Sequence, residues 1–578
     1  MAPERSTAAA APARTAGPPP RGGRSARWAV LVAALAVVAA FGIGVLRVLG
    51  GVDDAFRFDG DQALTGLSVH EASTLERELG PYSRYGWSHP GPLWFYLLAP
   101  PMRLFGGDDV ALMAAGVLVN GLLALAVVLA VHRLGRPLLT LATAGAVLAF
   151  VLRMPAEMFV DVWSPYALLL GTLLFLVLAA RVHTGTWPAL LAMLLSGSFL
   201  AQTHVGTAPL VGLVVLTAGA SFVLARRARR TTAPATDVDA DADADADASS
   251  RVRSTRWTVG LGALLVAVWV PPVLEQLTSP LREGNLVRLV SFFVNHEEPG
   301  GRPSPAQALI AVGRMLSMTP YDRDPGPWEM DVSSLPLSVA LVLAVQVLAA
   351  VALVVLGRRW GSPAGTWWGA VLCAALAAAF LAAVTVTGVL YWYLVLWVAA
   401  LPVATAVGAM HLLHDRFAAR GEGGAGRRLD LARTSVLVPV AVVVVAGSVV
   451  AGVSLGRAAV GLPSAYGVVG ATALVDDALE GTGTRAVHVE IATPEVWPVA
   501  AGVVNGLVAE GVDVTVDRRS VELFGADRVG PGDEDVALVF AATGSREHEQ
   551  TLGNAGTTDL GSVETEEGPT SVLLRVRG

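Results

Sequence analysis

The chain has 578 residues, of which 53% are hydrophobic and only 15% charged, and its mean hydropathy is +0.57. That balance fits a polytopic membrane protein and no soluble fold. The net charge of −7 says little as a total, because the signs are segregated along the chain and every cationic side chain is arginine. The single cysteine, Cys373, lies in an apolar run, which excludes an intramolecular disulfide and argues against a metal–thiolate site.

A membrane span needs about 20 apolar residues. In chain order, segments of that kind fall at 28–49, 109–131, 137–152, 163–181, 187–203, 206–225, 257–277, 335–356, 366–388, 390–413 and 434–456, with 137–152 and 187–203 the short ones. Eleven spans with an inside N-terminus place the arginine clusters on one side. These are Arg21, Arg24 and Arg27; Arg133 and Arg136; Arg226 to Arg230 and Arg251 to Arg256; Arg358 and Arg359; and Arg416 to Arg433. The acidic loops 50–108 and 278–334 and the C-terminal residues fall outside, as the positive-inside rule requires for a bacterial cytoplasmic membrane.

The organisation expected is a disordered cytoplasmic tail over 1–27, a membrane domain over 28–457 and an extracytoplasmic α/β domain over 458–578. The first span reads as a retained anchor, since it is longer than a signal-peptide core and no small-residue cleavage site follows it. The cytoplasmic linker 226–256, with its Asp-Ala repeat from Asp237 to Asp247, has too little apolar surface to order itself. In the C-terminal domain, strands are expected from Arg485, Asp513, Val536 and Ser571, with helices near 466–480 and 494–510. It carries no phosphate-binding loop, dinucleotide fingerprint or nucleophile elbow, and reads as a packing or recognition module.

The first outer loop carries the chemistry. It opens with Asp53, Asp54, Asp59 and Asp61, and from Gln62 to Leu79 the spacing of Leu64, Leu67, Leu75 and Leu79 predicts a helix along the membrane surface. Carboxylates favour helix N-termini as caps and through the dipole, but capping takes one residue and here there are four. Tyr82 to His89 then supplies Arg84, Tyr85, Trp87 and His89. Tyr85 and Trp87 suit stacking on a sugar, whereas Trp94 to Tyr96 suit the interfacial aromatic belt.

Asp61-Gln62-Ala-Leu, followed by His89-Pro-Gly-Pro-Leu-Trp-Phe-Tyr and Arg103-Leu-Phe-Gly, resembles the GT-C glycosyltransferases. That superfamily includes protein O-mannosyltransferases, aminoarabinose transferases and arabinosyltransferases. The resemblance covers roughly residues 28–225. The chain departs from the pattern at Gln62, where a second acid is common, and at His89-Pro-Gly-Pro, where Pro-Pro is usual. Either Asp59 or Asp61 can match the family's catalytic aspartate, and a divalent cation at the site stays open.

The resemblance implies transfer of a sugar from a polyprenyl-phosphate donor to a glycan, lipid or protein hydroxyl of the cell envelope, on the extracytoplasmic face. One carboxylate suffices to take the acceptor's proton, because a lipid phosphate leaves without a general acid. Arg84, His89 or Arg288 is the candidate donor to that phosphate, and Asp161 and His204 end spans on the same side. In the second outer loop, Pro271-Pro272 turns the chain along the surface, and His296-Glu297-Glu298 reads as a solvated acidic turn rather than a metal site. The bilayer and the donor lipid are the expected partners, and no nucleic acid is. The rival reading is a transporter or flippase, which would carry ionisable groups near mid-bilayer; these spans concentrate charge at the outer face instead.

Overall fold

The computed structural model describes all residues except 1–21, 133–135, 232–243, 281–282, 297–300, 318–328, 421–433, 481–483 and 577–578. Most of the expected tail and the first half of the Asp237–Asp247 repeat therefore lie outside the described residues, as do Glu297 and Glu298.

The first span, α1 (Gly22–Gly51), leads into a layer made of α2 (Gly60–Thr74), a short antiparallel hairpin of β1 (Tyr82–Ser83) and β2 (Trp87–Ser88), and α3 (Leu93–Phe105). The bundle continues with α4 (Asp109–His132), α5 (Pro137–Arg153), α6 (Ser164–Arg181), α7 (Trp187–Thr203), α8 (Ala208–Thr231) and α9 (Ala244–Ala267). The second outer loop is itself helical, as α10 (Val270–Thr278), α11 (Asn285–Asn295) and α12 (Pro305–Ser317). Then come α13 (Leu337–Arg359), α14 (Pro363–Val384), a 3₁₀ stretch Trp392–Ala400 running into α15 (Leu401–Arg420), and α16 (Thr434–Gly461).

Among the described residues, nine helical segments are long and apolar enough to cross a membrane, and α5 and α7 are shorter apolar helices of 17 residues each. At about 1.5 Å per residue these two fall short of a hydrocarbon core about 30 Å thick. Both are the segments expected to be short.

Two boundaries move. Residues Arg226 to Thr231 continue α8 and Ala244 to Arg256 belong to α9, so both ends of the expected disordered linker are helical; the tail is likewise helical from Gly22. Extending an existing helix costs far less than nucleating one, and Ala and Arg are strong helix formers. The surface helix expected over 62–79 stops at Thr74, because Leu75 takes the left-handed conformation (φ 68°) while its N–H and that of Glu76 bond to the carbonyls of Ala72 and Glu71. This is the Schellman pattern, with leucine where glycine is usual. Leu75 is consequently 78% exposed, whereas Leu64 and Leu67 are buried. Trp94 and Phe95 are also not in an aromatic belt: both are fully buried, and the Trp94 indole N–H donates to the Val162 carbonyl at 3.1 Å.

After α16 the chain builds α17 (Tyr466–Glu480), β3 (Ala486–Ile491), α18 (Trp497–Ala509), β4 (Asp513–Val516), α19 (Val521–Phe524), β5 (Val536–Ala542), α20 (Arg546–Leu552), β6 (Thr557–Val563) and β7 (Thr570–Val576). The strand order is β4-β3-β5-β7-β6, parallel from β4 to β5 and antiparallel beyond, with Val489 opposite Leu538 and Leu538 opposite Leu574. Central β5 is buried along nearly its whole length, as a strand covered on both faces must be. β6 was not expected from sequence, since Thr-Thr-Asp-Leu-Gly-Ser-Val is a polar edge strand with little alternation.

Candidate active site

Residue geometry at the start of α2 decides which aspartate faces the interior. Gly60 takes φ +47°, a conformation that costs a glycine little, and it turns the chain between Asp59 and Asp61. Asp61 falls in the first turn of α2, where the helix dipole favours an anion. Its carboxylate accepts from Tyr82 Oη–H at Oδ1 and from Trp163 Nε1–H at Oδ2, each at 2.8 Å. Burial raises its pKa above the ordinary carboxylate value, while the two donors pull it back down. The Tyr82 phenol is held protonated by its burial and by the adjacent Asp61 charge.

Asp61 lines a cavity of about 480 Å³ where the ends of the spans meet the α2–α3 layer. Its apolar lining includes Pro209, Phe293, Ala382, Val386, Val389 and Leu394. Its polar lining includes Asp61, Tyr82, Arg84, His89, His204 and Tyr393. Leu523 of α19 closes it from the C-terminal domain. Arg84 donates to the Tyr85 hydroxyl at 2.9 Å, and its guanidinium lies 5.0 Å and 5.5 Å from the Tyr85 and Tyr391 ring centres. Neither Arg84 nor Arg302, a second cavity arginine, has a carboxylate partner among the described residues; Arg77, a third, is held by Glu71 at 3.1 Å.

The structure thus brings Asp61, Arg84, Tyr85, Trp87, His89 and His204 to one cavity. It places the other three candidates elsewhere. Asp59 is the extended residue before α2, makes no side-chain capping bond, and has its pKa raised by burial and by Glu567 and Glu566 of the β6–β7 turn. Asp161 stands behind the cavity wall, accepting from Gln62 Nε2–H at 3.0 Å and from Trp163 N–H at 2.8 Å, its pKa pushed up to about 6 by burial. Gln62, which fills the position of a second acid, is therefore spent on orienting Asp161. Arg288 is on the exposed side of the hairpin, reaching the Gly86 carbonyl at 3.5 Å.

Tyr391, Tyr393 and Arg302 were not foreseen; the Tyr-Trp-Tyr run at a span end was the available signal for the first two. No three His, Cys, Asp or Glu side chains converge as a cation site among the described residues. Asp61 has donors on both oxygens instead of a second carboxylate, so the residues present do not fit a divalent ion there.

No family model matches the chain, and no curated protein matches it. Among solved structures it is similar to ArnT, an aminoarabinose transferase, from Cupriavidus metallidurans in the apo state: 14% identity over 95% of this chain and 98% of that one, with a TM-score of 0.50. It also overlaps the apo oligosaccharyltransferase of Archaeoglobus fulgidus at 13% identity and a TM-score of 0.40, over 89% of this chain and 69% of that one. The first of these matches spans both chains nearly end to end and carries the fold. With its membrane spans, its layer over their ends and its C-terminal sheet, the chain is a polytopic membrane protein that shares the overall fold of that solved structure.

Proposed function

We propose that the protein is a membrane glycosyltransferase that moves a sugar from a polyprenyl-phosphate donor to a hydroxyl of a cell-envelope acceptor, on the extracytoplasmic face. The observation that carries this reading is a part-buried carboxylate, Asp61, oriented by two hydrogen-bond donors and lining a cavity whose walls combine apolar side chains with Arg84 and Arg302. The apolar lining matches a prenyl chain, and Arg84 and Arg302 supply charge for a phosphate.

In the step itself, the acceptor oxygen forms a bond to the sugar's anomeric carbon as the bond from that carbon to the phosphate oxygen breaks. The acceptor's proton passes to Asp61, and the electron pair leaves with the phosphate, whose charge Arg84 stabilises. A raised pKa makes Asp61 a stronger base than an exposed carboxylate, and Tyr82 and Trp163 keep it in the ionised form and in one orientation.

The test is donor-lipid consumption by the purified protein across a panel of polyprenyl-phosphate sugars, with Asp61→Asn as the control. Turnover that Asp61→Asn abolishes supports the reading. No turnover on any donor, together with substrate-dependent flux in vesicles, would establish the transporter instead.

A further inference from the structure

His89 and His204 form a pair that the proton-transfer step does not use. Their rings are tilted against each other with centroids 4.4 Å apart, and the residues are only 7% and 5% exposed. Each ring's Nδ1 is already an acceptor: Val205 N–H donates to His89 and Gly206 N–H donates to His204, both at 3.1 Å. An Nδ1 that accepts carries no proton, so in both rings the proton sits on Nε2. Both residues line the cavity, and Nε2 of each ring has no hydrogen-bond partner among the described residues. Neither has a carboxylate partner among the described residues, and burial holds both in the neutral form, His204 with a pKa lowered to about 4. The result is two N–H donors that bring no net charge.

The cavity's charge is elsewhere, on Arg84 and Arg302, so the phosphate already has its match. The neutral pair has an aromatic neighbour: the Trp87 ring lies 5.4 Å from that of His89 and also lines the cavity. An aromatic face beside uncharged donors is complementary to a sugar, which offers C–H faces and hydroxyl oxygens. We propose that His89 and His204 are a neutral donor pair that grips oxygen atoms of the donor's sugar and rejects an ammonium substituent at that position. An ammonium is itself donor-only, so facing it with two N–H groups leaves all of them unsatisfied. This inference rests on the polyprenyl-phosphate reading above.

The test measures binding of three kinds of probe to the full-length protein in detergent: a long-chain polyprenyl phosphate, the same lipid carrying mannose, glucose or arabinose, and the same lipid carrying 4-amino-4-deoxyarabinose. At least one neutral sugar should tighten binding over the bare lipid phosphate, and the amino sugar should not. His89→Asn and His204→Asn keep an acceptor near Nδ1 and lose the Nε2 donor, so each should lose that sugar increment, on the order of tenfold, with the bare lipid bound within about twofold of wild type. His89→Gln and His204→Gln, which restore an N–H near Nε2, should recover part of it. Equal weakening of bare and sugar-bearing lipid in the Asn variants would place the phosphate, not the sugar, on the histidines and overturn the proposal. So would an amino sugar bound as tightly as the neutral ones, or no increment from any sugar. Failure of wild type to bind the bare lipid phosphate would instead sink the donor reading itself.

Discussion

Asp59 and Asp61 are separated by one glycine, and composition alone treats them alike. What separates them is the positive φ of Gly60, which leaves Asp59 beside Glu566 and Glu567 and turns Asp61 toward Tyr82 and Trp163. No periodicity reports that turn, so the two aspartates were legible in the sequence as candidates, and which of them lines the cavity was not. Asp61→Asn is expected to lower the initial transfer rate by roughly 10²–10⁴-fold, the usual contribution of a positioned base, with little change in melting temperature. Asp59→Asn should stay near wild type, and a rate loss confined to Asp59→Asn would reverse the assignment. The pH dependence has a defined sign. The base must be ionised, and burial raises its pKa above the ordinary carboxylate value, so the rate should fall on acidification at a pH above the range of an exposed aspartate. Tyr82→Phe removes a donor that favours the ionised form and should move this acid limb further up; a shift toward lower pH would show that Tyr82 does not act on Asp61.

At the scale of elements, the site depends on how α2 is clamped between the membrane bundle and α18. A Cβ on Gly66 of α2 would come within 2.8 Å of the Asn505 side-chain amide, so the two helices meet where α2 has no side chain. Asn505 Nδ2–H donates to Asp109 Oδ1 at 2.9 Å, and Phe58 N–H donates to Asp109 Oδ2 at 3.0 Å. One buried carboxylate at the head of α4 thus ties the segment before α2 to the C-terminal domain. Asn505→Ala leaves one oxygen of that carboxylate without its donor and should destabilise the protein by about 1–3 kcal/mol, read as a lower melting temperature and faster proteolytic release of the C-terminal domain. Unchanged stability would mean water replaces the amide and the tie is not needed. The spans, the parallel strands and α17 and α18 were legible because each is a run of apolar residues with a clear period. The end of α2 at Leu75, the polar strand β6 and the cavity position of tyrosines 391 and 393 were not, since a left-handed leucine, an edge strand and which side chains at a span end face a cavity are fixed by tertiary contacts rather than local pattern.

For the whole molecule, the loop after α1, the second outer loop and the C-terminal domain share one face. Ser88 N–H donates to Asn285 Oδ1 at 2.7 Å, Arg57 N–H to Ser464 Oγ at 3.1 Å, and Arg528 pairs with Glu71 at 3.0 Å. Three segments far apart in sequence can meet this way only if the spans between them return the chain to the same side, which the eleven-segment parity does. The positive-inside rule applied to the arginine clusters predicts that this side is the exterior. Deleting 237–247 should leave transfer activity within about twofold, and its complete loss would show that the segment is no linker; with no apolar residue except Val238 and alanines, it has little to pack. Orientation is tested directly at Glu480, the exposed end of α17. With the native thiol removed as Cys373→Ser, Glu480→Cys should react with a membrane-impermeant maleimide on intact cells. Since Glu480 belongs to the domain that covers Asp61, labelling only after membrane disruption would move the cavity to the cytoplasmic side. An acceptor in the cell envelope would then be out of reach, whatever the chemistry of the carboxylate.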